Sequence, residues 1–188
     1  MGDPPSSREI LTLEPLLEAV REGLERAGWQ LSGLQKTTSY EFEGRWAGDS
    51  SRSAYLFFHR PGVPDQVSID VFLDETTRGL KGNLALVVDG PILEELPRTE
   101  SVLSSLSETM NKHLPAGYRT PLTLRYRLPG PGQKPGLAES EVRFKLYLPR
   151  DAIAAGASAV SALAASIAEA YLEILRGPDL EAFLAGEE

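Results

Sequence analysis

The side chains that could do chemistry in this chain are few, and their spacing is poor for it. His59 and His113 fall on different elements, and neither has a metal ligand four residues away. Glu41 and Glu43 share one face of an extended segment, as two catalytic acids would. Arg45 continues that face, however, and alternating charge is the pattern of a solvated strand. Glu94 and Glu95 lead towards Pro97 and belong to the approach of a helix. No GxxxxGK[ST] loop, no GxGxxG between strand and helix and no GxSxG elbow occurs. With no cysteine, disulfides, thiol nucleophiles and cysteine metal sites are all excluded. The expectation is a protein without catalytic residues, cofactor or metal. An enzyme of unrecognised type has no residue in its favour.

What remains is surface. The chain has 188 residues, enough for one substantial core, and a net charge of −8. That charge is segregated. Between Arg119 and Arg150 stand seven basic residues and two acidic ones, a local net of +5 that leaves −13 to the rest. So acidic a chain is repelled by nucleic acid and by anionic membranes unless a patch escapes the average. Met1 to Ser7 lacks the basic start and apolar run of a secretory signal. No stretch reaches the roughly 20 apolar residues of a membrane span. The most apolar segment, Ala152 to Leu175, carries serines and glutamates and reads as a packed helix. A cytoplasmic protein without a membrane contact is the expectation.

The elements follow from periodicity. Residues 1–10 read as a flexible tail, and 11–188 as a single α+β domain. Thr12 caps a first helix whose stripe is Leu13, Leu16, Leu17, Val20, Leu24 and Ala27, stopped by Gly28. Four strands are expected next, at Tyr40–Trp46, Ala54–His59, Val67–Leu73 and Leu80–Val88. A helix after Pro97 carries Val102, Leu103, Leu106, Met110 and Leu114. Strands at Leu122–Leu128 and Val142–Leu148 flank the Pro/Gly-rich loop 129–136. A last helix, capped by Asp151, repeats Ile153, Val160, Ile167 and Ile174 every seven residues. That stripe suits a core helix covering the sheet better than a dimer seam. The order α-ββββ-α-ββ-α predicts an antiparallel sheet with helices packed on one face.

The opposite face is then the surface to explain. Alternation exposes Tyr55, Phe57, Phe72 and Val87 there, an apolar group rimmed by Asp70 and His59. On the last two strands it exposes Thr123, Arg125 and Arg127, then Arg143, Lys145 and Tyr147, and the four cations are expected to form one compact patch. Contiguous exposed aromatics mark a partner surface. The candidate partner-binding residues are therefore Tyr55, Phe57, Phe72, Arg125, Arg127, Arg143 and Lys145. The partner is a second copy, a protein client, or both. The alternative is a stacking platform for single-stranded nucleic acid, which the net charge opposes.

Three stretches carry a family resemblance. Thr38–Trp46 looks like a first strand, Met110–Tyr118 like the end of a middle helix turning through Leu-Pro-x-Gly into a strand, and Leu163–Leu175 like a C-terminal helix. Over about residues 12–176 the chain resembles the YbjN-like proteins and the type III secretion chaperones. An extra strand and the Pro/Gly hairpin tip depart from that pattern. The resemblance implies a non-enzymatic, dimeric, chaperone-like adaptor that holds a partner polypeptide and has no catalytic residues. The acidic remainder of the chain would favour a basic client, such as a nucleic-acid-associated protein.

Overall fold

The computed structural model describes residues 9–39, 51–90, 123–127 and 139–178, together with 104, 107, 108, 112 and 131. Helix α1 spans Leu13–Arg26 and buries the expected stripe of Leu13, Leu16, Leu17, Val20 and Leu24. Ile10, assigned from sequence to the tail, is only 6% exposed and joins the core. Thr12 makes no side-chain cap. The carboxylate of Glu75 does that work instead, accepting the Leu13 N–H at 2.6 Å. A negative group at this end also suits the helix dipole. At the other end Gly28 (φ +87°) donates its N–H to Glu25 and Trp29 donates to Leu24, the paired bonds of a Schellman stop.

Six strands form one antiparallel sheet in the order β1-β2-β3-β4-β6-β5. They are β1 (Gln30–Ser39), β2 (Ser51–His59), β3 (Val67–Thr76), β4 (Gly79–Gly90), β5 (Thr123–Arg127) and β6 (Glu139–Tyr147). The first strand lies earlier than the sequence pattern suggests, and the strand expected at 40–46 falls outside the described residues. Gln30–Ser39 hides its nature for two reasons. A bulge between Leu31 and Gly33 breaks its period, and its residues 34–37 are exposed at the sheet edge, so burial imposes little alternation. The helix expected after Pro97 also lies outside the described residues, save Ser104, Ser107, Glu108 and Lys112, which are helical. Of the loop 129–136 only Pro131 is described, in a turn.

After β6 the chain forms α2 (Arg150–Ala154) and α3 (Ala157–Leu175). One continuous helix was expected here. Gly156 interrupts it with φ +100°, a conformation no helical residue adopts. Pro149, not Asp151, precedes α2, and Asp151 sits in its first turn. By length and composition α3 is apolar enough to cross a membrane, contrary to the reading from sequence. Its apolar face is accounted for inside the protein: Val160, Ala164, Ile167, Ala168, Tyr171 and Ile174 are buried in one core with α1 and the sheet. The seven-residue stripe is thus core.

The inner face of the sheet supplies Leu56, Phe58, Ile69, Val71, Leu73, Leu84, Leu86, Phe144 and Leu146 to that core. Two contacts fix the helices on it. A Cβ added to Gly23 would lie 2.3 Å from the Ser161 carbonyl oxygen and 2.8 Å from Ala164 Cβ, so α1 and α3 touch through their backbones. The Tyr171 hydroxyl lies 2.7 Å from the Phe144 carbonyl oxygen and 3.0 Å from that of Leu84, bridging β6 and β4 from above. Its complete burial pushes the phenol pKa far up, so it remains a donor.

Gly23→Ala is therefore expected to lower unfolding free energy by about 1–3 kcal/mol through overpacking, despite the ~1 kcal/mol by which alanine favours a helix. Tyr171→Phe should cost about 1–3 kcal/mol by leaving buried acceptors short of a donor. Urea denaturation midpoints measure both.

Candidate functional site

The register turns the outer face into rows running across the strands. One row reads Gln35, Tyr55, Phe72, Asn83 and Tyr147 from β1 to β6. The next reads Gly33, Phe57, Asp70, Ala85 and Lys145. A third passes through Ser68, Val87, Arg143 and Thr123. The first two rows make an aromatic band across the sheet. Tyr55 is 39% exposed, Phe57 37% and Tyr147 59%.

Local packing sets the shape of this band. Tyr55 and Phe72 stand opposite each other with ring centroids 4.9 Å apart and planes tilted by 44°. Such a cross-strand pair adds about 0.5–1.5 kcal/mol beyond its burial. Gly33 leaves room for Phe57, whose Cδ2 would lie 3.2 Å from any Cβ added there. The Lys145 ammonium sits 5.3 Å from the ring centroid of Tyr147, within cation–π range. Between the two ends lies a shallow concavity of about 350 Å3, lined by Tyr55, Phe57 and Phe72 on one side and by Asp70, Asn83, Arg143 and Lys145 on the other.

The register also redistributes the charge. Arg125 and Arg127 pair with Glu141 and Glu139, while Arg143 pairs with Thr123. In register, the basic positions of β5 thus stand opposite carboxylate-bearing positions of β6. Arg143 is engaged on both sides: its Nη2 lies 3.3 Å from Asp70 Oδ2, and its Nε donates to Glu141 Oε1. Val87 is buried, not exposed. Although on the outer side in register, it is only 4% exposed, flanked by Ser68 and Arg143. Asp70 is not a rim residue but stands mid-band between Phe57 and Ala85. His59 is at the margin, its Nδ1 2.8 Å from the Ser32 hydroxyl. Tyr147, the most exposed of the aromatics, was visible in the sequence as an outer residue, but its place in the aromatic row depends on the β4–β6 register.

Asp70 is electrostatically frustrated. Burial raises its pKa above the usual aspartate value, and the charges of Glu141 and Asp89 add to the effect. The Ser68 hydroxyl, at 2.9 Å, and Arg143 act the other way without prevailing. The 3.3 Å contact is long for a charge-assisted bond, and Arg143 is shared with Glu141, which explains why the ion pair loses to desolvation. Arg143 itself is held above the ordinary guanidinium value: burial pulls down, but Glu141 and Asp70 outweigh it.

A wider hollow of about 500 Å3 lies between the residues before α1, the β3–β4 turn and α2, with Glu75, Arg78 and Arg150 in its wall. Glu75 is already engaged by Arg52 at 2.5 Å and by the start of α1, so this hollow has a structural use. Among the described residues, no three His, Cys, Asp or Glu side chains gather in a way that could hold a metal ion.

A raised folded pKa means that Asp70 favours folding when protonated, and that this contribution is lost as pH rises through the folded value. Asp70→Asn should therefore gain stability relative to the parent as pH goes from 3 to 7. Paired denaturation curves at the two pH values check this, and carboxyl 13C titration should show Asp70 above the ordinary range. Neither a protein-family model nor a curated protein nor a solved structure matches the chain.

Proposed function

We propose that this chain is a non-enzymatic protein-binding module, a chaperone-like adaptor that self-associates and holds a partner polypeptide. The observation that carries this reading is the aromatic band of Tyr55, Phe57, Phe72 and Tyr147, on a sheet face whose opposite side already packs against α1 and α3. Exposed aromatics beside charged groups of both signs are the make-up of a protein interface core and its rim. The element order and the resemblance to YbjN-like proteins and type III secretion chaperones support a fold of that kind. The acidic remainder of the chain would speed encounter with a basic client.

The single-stranded nucleic-acid reading keeps its stacking surface but finds one of its cations, Arg143, already engaged by Asp70 and Glu141. Backbone affinity for nucleic acid requires cations able to meet phosphate. Among the described residues an enzymatic reading finds no constellation to rest on.

Affinity capture of the tagged protein from nuclease-treated native lysate tests the reading. Tyr55→Ser/Phe57→Ser is expected to lose the captured proteins by tenfold or more, with Leu11→Ser, an exposed residue on another surface, as control. Recovery of no protein beyond its own copies would count against the adaptor.

A further inference from the structure

The aromatic band has two unlike ends. At β2 it offers Tyr55 and Phe57, two partly exposed aromatic rings. At β6 it offers Tyr147 and the Lys145 ammonium. Between these ends lie the β3–β4 pairs Phe72↔Asn83 and Asp70↔Ala85. We infer that this face is closed by a second copy of the chain, the two sheets packed face to face about a two-fold axis parallel to the strands between β3 and β4. The inference rests on the reading of this face as a protein-binding surface and names its occupant.

The axis follows from complementarity. A two-fold parallel to the strands preserves each row and reverses the strand order, so β2 of one copy covers β6 of the other. Tyr55 then meets Tyr147 of the second copy, and Phe57 meets its Lys145, each contact occurring twice. An ammonium over a desolvated ring is attractive, and the aromatic pair adds to it. Near the axis Asp70 lies over Ala85 and Phe72 over Asn83, so no two like charges are brought together. An axis perpendicular to the strands and running along the row of Asp70 and Lys145 would lay each strand on itself, placing Asp70 near Asp70 and Lys145 near Lys145. The extent is also sufficient. Strands β2, β3, β4 and β6, spaced about 4.8 Å and some nine residues long, give on the order of 1,000 Å2 of buried surface in total, the lower bound for a specific interface.

A charge swap distinguishes this arrangement from any other use of the face. Sedimentation equilibrium of the purified protein should give a dimer. Phe57→Lys, which places two ammonium groups together across the interface, should weaken it at least tenfold. Adding Lys145→Glu to Phe57→Lys should restore affinity to within a few-fold. Within one copy these residues are three strand spacings apart, roughly 14 Å, so rescue reports contact between copies. Circular dichroism and melting curves confirm that each variant is folded. A monomer at every concentration, or a dimer indifferent to Phe57→Lys, overturns the inference. So does loss of dimer without rescue in a folded double variant. If the protein is monomeric while Tyr55→Ser/Phe57→Ser still abolishes capture of a client, the face belongs to the client. The self-pairing then fails and the protein-binding reading survives.

Discussion

The contact between β4 and β6 is made by no turn. Every other pairing in the sheet joins strands that follow one another, whereas 48 residues separate Gly90 from Glu139. The register of this pair must come from side chains. The inner-face residues Leu84, Leu86, Phe144 and Leu146 are buried, and a slip by one residue would turn that set outward. The Tyr171 hydroxyl, seated against carbonyl oxygens of both strands, adds a polar contact at the same seam. The Leu148 N–H closes it with a bond to Gly82 O at 2.9 Å. Everything on the outer face inherits this alignment. It brings Arg143 within reach of Asp70, and it extends the Tyr55–Phe72 row to Tyr147.

Once the register is set, electrostatics decides what kind of surface results. The basic segment looks like a positive patch when counted along the chain. In space Arg143 bridges two carboxylates, Asp70 and Glu141. What the face presents is apolar area with a balanced polar margin, which favours shape and ring contacts over long-range attraction.

The sequence was legible where burial is one-sided. Leu16, Val20 and Leu24 at helical spacing, and Ile69, Val71 and Leu73 at alternate positions, reveal α1 and β3 because a single face of each is buried. The outward placement of Tyr55, Phe57 and Phe72 came from the same alternation. β1 was not legible, since an edge strand with a bulge at Ser32 is held by backbone pairing more than by pattern. The pairing of Arg143 was not legible either. Which residue faces Arg143 depends on two strand registers, and periodicity within one strand says nothing about its neighbour. Val87 shows the same limit, because facing outward and being exposed are different properties when long side chains flank a small one.

The cap on α1 ties the first helix to a strand laid down much later. Glu75 lies 62 residues beyond the amide it accepts, and it also anchors Arg52, which grips Glu14 in α1. A chain emerging from the ribosome can begin α1 early but has no means of finishing its first turn until β3 has been made and paired with β2. The N-terminal turn of α1 is thus bound to the sheet in one cooperative unit, and its opening should follow that of β2 and β3 and not precede it as an independent fraying end.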